Sequence, residues 1–121
     1  MPETYPLGVF LRANAGLADS LAFLRSLNVS TCHLGIDSGS LPAAGRQTEL
    51  RQLLESYDVE PTVVYCLFEG EDYADIPTVG RTVGLVPRDY RDERLRAAEQ
   101  IAELAREVGA PAIGLHLGFI P

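Results

Sequence analysis

Two histidines, a scatter of carboxylates and no lysine bound the chemistry open to this 121-residue chain. His116 and His33 are the groups that could move a proton or bind a metal. Asp37 and Glu69 are the carboxylates placed directly against apolar runs. All 10 basic residues are arginine, so a Schiff-base lysine and the lysine of a phosphate-binding P-loop are both excluded. No serine sits in a G-x-S-x-G elbow, and no G-x-G-x-x-G supports a dinucleotide site. The tight spacings of H-E-x-x-H and C-x-x-C sites are absent as well. A metal would have to draw its ligands from His33, His116, Asp37 and Glu69, which lie on separate segments. Cys32 and Cys66 sit far apart inside apolar runs and read as buried free thiols rather than a disulfide or a metal pair.

These residues must be positioned by an alternation of strands and helices. Four short apolar runs are separated by three helical patterns. The first run is Leu7 to Leu11, followed by Leu17, Leu21, Leu24 and Leu27 at helical spacing, which predicts a helix over 17–28. The second run, Thr31 to Ile36, leads into a loop at Asp37-Ser38-Gly39-Ser40. Leu50, Leu53, Leu54 and Tyr57 mark a second helix from Gln47 to Tyr57. The third run, Thr62 to Phe68, is rich in β-branched and aromatic residues. From Glu69 to Asp89 the connection is far longer than the usual loop of about 4–6 residues, and loops of that length are commonly functional or disordered. The third helix is expected to start at Asp89 as N-cap, to bury Leu95, Ala98, Ile101, Ala102, Ala105 and Val108, and to stop at Gly109 and Pro111. Asp92 and Arg96 can pair on its outer side. The last run is Ala112 to Leu117.

Strands alternating with helices call for a parallel sheet in an α/β fold, either half of a (β/α)8 barrel or a small doubly wound sheet. The end of the chain favours the barrel, because Phe119-Ile120-Pro121 follows the fourth strand with no covering helix. A whole barrel needs about 250 residues. We therefore expect residues 1–121 to form one partial domain, with four strands and three helices, as the N-terminal half of a TIM barrel.

In either architecture chemistry gathers at the carboxyl ends of the strands, where Arg12, Asn14, Asp37, Glu69 and His116 lie. Alternation along the strands assigns Cys32, Leu34, Ile36, Ile113, Leu115 and Leu117 to the helix side. His33 and His116 then face the interior. His116 reads as a ligand contact or as a core histidine bonded to a neighbouring strand. His33, deeper in its strand, reads as a structural hydrogen-bonding group. Asp37 reads as a cap of the following loop, and Glu69 as a site residue or a solvated one. Arg81 and Arg88 read as solvated or as anion contacts, and Tyr73 as a lid residue or a local anchor. On the open inner face we expect Phe10, Val64 and Phe68.

Hydrophobic content of 46% with 22% charged residues is that of an ordinary globular protein. The net charge of −7, with no basic stripe, argues against nucleic acid as a partner. No apolar run approaches membrane-spanning length. Met1 to Thr4 has neither a basic nor an apolar leader region, so a cytoplasmic location is expected.

The stretch Phe68-Glu69-Gly70-Glu71-Asp72-Tyr73-Ala74-Asp75-Ile76-Pro77-Thr78-Val79 resembles part of the bacterial sugar phosphate isomerase/epimerase proteins. So do Arg81-Thr82-Val83-Gly84-Leu85-Val86-Pro87 and the ending Leu115-His116-Leu117-Gly118-Phe119-Ile120-Pro121. These proteins belong to the xylose-isomerase-like barrels, a group that includes endonuclease IV. The resemblance runs from Leu7 to Pro121. It implies a (β/α)8 barrel with a divalent metal (Mn, Co, Mg or Zn) at its mouth, held mainly by residues of strands five to eight, which this sequence lacks. It implies proton abstraction next to a carbonyl of a sugar or polyol. His116 matches the histidine after strand four, a contact for substrate and a candidate metal ligand. Phe10 matches a wall position, and Glu69 with the loop through Pro87 matches a segment covering the pocket. The chain is then expected to be a truncated, inactive half that self-associates or needs its missing C-terminal half. Two other readings stand beside it: a metal-dependent repair nuclease of the endonuclease IV type, against which the charge and Phe68-Glu69 after strand three both count, and a non-catalytic half-barrel that works by pairing.

Overall fold

Strands and helices alternate through the computed structural model, which describes residues 5–43 and 45–121. The leader reading of Met1 to Thr4 lies outside the described residues. The elements are β1 Gly8–Arg12, α1 Leu17–Ser26, β2 Thr31–Asp37, α2 Arg46–Ser56, β3 Glu60–Leu67, α3 Ile76–Thr82, α4 Arg88–Val108 and β4 Ile113–Gly114. A single 3-10 turn, Ser38–Ser40, follows β2. All strand pairs are parallel and the spatial order is β1-β2-β3-β4. A doubly wound sheet reverses its strand order at a switch point. Strictly sequential order with right-handed crossovers instead keeps every helix on one side, as in a barrel segment.

Burial follows from that one-sidedness. Leu17, Leu21 and Leu24 of α1, Cys32, Leu34 and Ile36 of β2, and Ile101, Leu104, Ala105 and Val108 of α4 form one core between helices and sheet. Val64 and Cys66 of β3 and Phe68, the residue just after it, join it. Val64 and Phe68 therefore belong to the helix side and not to the inner face. The reason lies at the start of β3, where Pro61 has no N–H for the ladder and the register slips between Cys32 and His33. Thr62, the extra residue, bonds through its hydroxyl to Cys32 O at 3.3 Å. On β4 the helix side is only partly covered, with Ile113 37% exposed, and Leu117 beyond the strand is 52% exposed. Both cysteines are free and buried, and burial pushes each thiol up to about 11.

Two helices end alike. Asn28 and Asp58 adopt left-handed φ of 58° and 53°, a conformation short polar side chains tolerate. One residue later the chain turns back, Val29 N–H onto Leu24 O and Val59 N–H onto Leu54 O. Gly109 at φ 81° closes α4 in the same way, with Ala110 N–H onto Ala105 O. Each closure aims the next strand back into the sheet.

The third helical region departs from expectation. The connection after β3 contains α3, capped by Asp75 Oδ1, which accepts from Thr78 N–H at 2.8 Å, with a proline in the first turn. The long helix begins one residue before Asp89, with Pro87 at its N-cap and no side-chain cap. Leu95 is 43% exposed and Ala102 is exposed, whereas Arg94 is only 3% exposed. No ion pair joins Asp92 and Arg96 among the described residues.

Arg94 occupies the stripe position three and four residues before Ala97 and Ala98. Its guanidinium donates to Thr82 O at 2.6 Å, Gly84 O at 2.7 Å and Glu69 O at 3.0 Å. It also lies over the rings of Tyr90 and Phe68, at 4.5 and 5.5 Å from their centroids. A buried cation is tolerated when its donors are satisfied in this way. Replacing Arg94 with leucine leaves three carbonyls without that donor. The expected loss of stability is about 3 kcal/mol, and Arg94→Lys is expected to recover only part of it because an ammonium lacks the planar fork. Urea unfolding of the three proteins measures this, and a loss below about 0.5 kcal/mol, the level of an ordinary surface change, would contradict it.

Candidate functional site

The floor of the inner face is built by glycines. In register across the sheet stand Arg12, Gly35, Tyr65 and Gly114. A side chain at Gly35 would meet the Phe10 ring at 2.7 Å and Leu67 at 2.9 Å. A side chain at Gly114 would meet the Tyr65 ring at 2.8 Å. Strand glycines of this kind mark a close approach by another group. Here they let Phe10 cross β2 and pack edge-on against Tyr65, with centroids 5.8 Å apart.

His116 closes this aromatic row. Its imidazole lies edge-on to Tyr65 at 5.5 Å and to Tyr73 at 5.7 Å. Tyr73 Oη is 2.6 Å from His116 Nδ1 and 3.1 Å from Glu71 Oε2. Glu71 Oε1 accepts from Gly84 N–H at 2.9 Å. The network lies at the carboxyl end of the sheet, on the side that carries Phe10 and Tyr65. The connection from Glu69 to Pro87 therefore reaches the same end of the sheet as His116.

That connection is ordered. Thr82 Oγ1 accepts from Asp72 N–H at 3.0 Å and lies 2.8 Å from Thr78 O. Asp72 Oδ1 accepts from Ala74 N–H at 2.9 Å. Leu85 and Val86 both donate to Leu117 O, at 2.7 and 3.1 Å, which ties the segment to the chain just beyond His116. Gly84 (φ 75°) and Gly118 (φ 118°) meet at this crossing, and a side chain on Gly84 would run into Leu117 O.

The other residues singled out from the sequence lie elsewhere. Phe10 is 47% exposed on the inner face and reaches His116 only through Tyr65. Glu69 stands at the end of β3, its N–H donating to Ser38 Oγ at 2.9 Å and its carboxylate against Gly39. With Asp37, Gly39, Ser40 and Leu67 it lines a separate cavity of about 320 Å³ on the rim. Asp37 makes no capping hydrogen bond and instead pairs with Arg12 at 3.6 Å, an exposed pair of small energetic weight. His33 is exposed and makes no side-chain hydrogen bond among the described residues, so the structural bond expected for it is not found there. Arg81 bonds Thr78 within its own helix at 3.1 Å. Tyr65 and Glu71 went unrecognised in the sequence. Inward glycines at 35 and 114 were the available signal for Tyr65, and none marked Glu71.

Among the described residues no three of His, Cys, Asp and Glu gather as a metal-binding group. Within the network the candidate ligands are His116, whose Nδ1 is already engaged with Tyr73, and Glu71, whose two oxygens face Tyr73 Oη and Gly84 N–H. The donor set of this chain does not by itself fit a divalent-metal site.

Desolvation, and then the charge and hydrogen bond of Glu71, push the Tyr73 phenol up to about 12. The neutral phenol is thus favoured by the fold. With an unfolded value of about 10, its contribution to stability is complete below about pH 10 and is lost as pH rises through the folded value. In an alkaline titration followed by phenolate absorbance, one tyrosine should ionise well after the exposed ones, and Tyr73→Phe should remove that late step. An unchanged late step in the variant would show that the network does not hold the proton on Tyr73.

No family model and no curated protein matches the chain. A solved structure does: the crystal structure of a xylose isomerase domain protein from Planctomyces limnophilus is 37% identical, with a TM-score of 0.84. The match covers 100% of this chain and 44% of that one. Four sequential parallel strands and this likeness along the whole length of the chain together give it the fold of half of a xylose-isomerase-like TIM barrel.

Proposed function

We propose that this chain is the His116-bearing half of a barrel enzyme that moves a proton next to the carbonyl of a sugar or polyol, as sugar phosphate isomerases and epimerases do. The observation that carries the reading is the His116 imidazole, bonded to Tyr73 at 2.6 Å beside an open aromatic floor at the carboxyl end of the sheet. Function in such barrels collects at that end. His116 would meet a substrate hydroxyl or carbonyl, Phe10 and Tyr65 would pack against the carbon skeleton, and Glu69 would line the rim. A metal serving this reaction would take most of its ligands from outside these four strands, because among the described residues His33, Asp37, Glu69 and His116 do not gather into one metal-binding group. The acid and base that shuttle the proton would likewise come from elsewhere. The nuclease reading has less support, since the chain carries a net charge of −7 and no basic face.

Self-association is proposed for the isolated chain. Phe10 is half exposed on the inner face, and β1 and β4 stand at the edges of the sheet. Two copies could pair these edges into a ring of eight strands.

The purified chain tests both parts. In a ketose–aldose assay with added manganese or cobalt, no turnover is expected above the metal-only control, and light scattering is expected to report a dimer or larger species. Turnover above that control would overturn the proposal that essential groups lie outside these strands. A stable monomer at tens of micromolar would overturn self-association. Salt-sensitive binding to abasic-site DNA would favour the nuclease instead.

A further inference from the structure

The protons of the Glu71–Tyr73–His116 network can be counted. Tyr73 has one hydroxyl proton and two neighbours, Glu71 Oε2 at 3.1 Å and His116 Nδ1 at 2.6 Å. A carboxylate only accepts. Its other oxygen, Oε1, already accepts from Gly84 N–H. If Tyr73 gave its proton to His116, the phenol oxygen and Oε2 would face each other with no hydrogen between them. If it gives the proton to Glu71, the remaining contact is satisfied by an N–H on His116 Nδ1 donating to the phenol oxygen. Only this second arrangement makes both hydrogen bonds.

We propose that Glu71 and Tyr73 are positioning residues that hold neutral His116 as its Nδ1–H tautomer, leaving the Nε2 lone pair as an acceptor for a hydroxyl proton of a polyol or sugar at the barrel mouth. Nε2 has no hydrogen-bond partner among the described residues, and His116 is solvent-accessible. A ring nitrogen's role is set by the bond its twin makes. The connection that carries Glu71 and Tyr73 thus helps set what His116 can do, beyond covering the site. The ligand class rests on the function proposed above. The tautomer does not.

The same counting gives an experiment. Glu71→Gln keeps size and shape but offers one acceptor oxygen and one donor amide. With its oxygen kept on Gly84 N–H, the amide must face Tyr73 and donate to it. Tyr73 then turns its own proton to His116 Nδ1, and the imidazole proton moves to Nε2. Long-range proton–nitrogen correlation spectra, recorded at about pH 8.5 so that an ordinary imidazole is neutral, distinguish the two forms. His33→Gln assigns the signals, and His33 serves as an internal reference in the other proteins. Wild type should show a protonated Nδ1 and a bare Nε2, and Glu71→Gln should show the reverse. Tyr73→Phe, which removes the acceptor, should lose the Nδ1–H preference. A wild type with its proton on Nε2 would overturn the proposal outright. So would a folded Glu71→Gln protein, judged by its circular dichroism, with an unchanged tautomer. Adding D-fructose to wild type tests the ligand class separately: a shift confined to Nε2 supports it, whereas no shift with the Nδ1–H form intact overturns the sugar contact and leaves the tautomer assignment standing.

Discussion

A guanidinium buried between α4 and the connection after β3 fixes the geometry on which the rest of the carboxyl end depends. Arg94 binds carbonyls at both ends of that connection, Glu69 at its start and Thr82 and Gly84 near its finish. Between them lie Glu71 and Tyr73, which have no strand of their own to hold them. Three bonds from one rigid planar group confine the ends of the segment, and the hydrogen bonds of Asp72, Thr82 and Asp75 confine its middle. The cost of burying the charge is offset by these carbonyls and by the faces of Tyr90 and Phe68. A lysine would lack the fork needed to serve three acceptors at once.

The sheet has two unlike faces, and the difference is chemical as well as topological. On the helix side aliphatic residues, Phe68 and two thiols fill the core. On the inner side, volume is transferred from one strand to the next: Gly35 and Gly114 give up their side chains, and Tyr65 between them spreads over the space. An amphipathic floor results, apolar in its rings and polar at its edges, and it suits a ligand that is itself a carbon skeleton bearing hydroxyls. The same face left uncovered is what makes the isolated unit prone to associate.

Much of this was legible in the sequence, and what was not has physical causes. Leucines at 17, 21 and 24 and the alternation Cys32, Leu34, Ile36 announce helix and strand because periodicity records which side meets a core. The parity of His116 followed from the same rule. In β3 nearly every residue is apolar, so alternation carries little information, and a register slip at Thr62 decides which set is buried. The buried face of the third helix was read from apolar residues alone, which passed over Arg94 even though it keeps helical phase with Ala98, Ile101 and Ala105. The helix α3 escaped because its apolar residues are few and its start is set by a single capping carboxylate, Asp75. Glu71 was unreadable for a deeper reason: its partners, Tyr73 and Gly84, lie 2 and 13 residues away along an irregular segment that has no period.

His116 itself illustrates how little of a functional position need come from the element that bears it. β4 pairs with β3 over Ile113 and Gly114 alone, so the ladder ends before the histidine. What holds the chain beyond it is Leu117 O, accepting from Leu85 and Val86, and the close crossing of Gly84 and Gly118, where neither backbone leaves room for a side chain. What holds the ring is Tyr73, backed by Glu71, which is itself bonded to Gly84. Gly84 therefore serves three ends at once: its carbonyl accepts from Arg94, its N–H donates to Glu71, and its bare Cα admits the chain at Leu117 and Gly118, just beyond His116. A shift of the connection would move the histidine's neighbours and its backbone together. Such coupling allows the imidazole to be aimed by a segment outside the sheet, and it explains how a side chain two residues beyond the end of β4 takes a defined orientation.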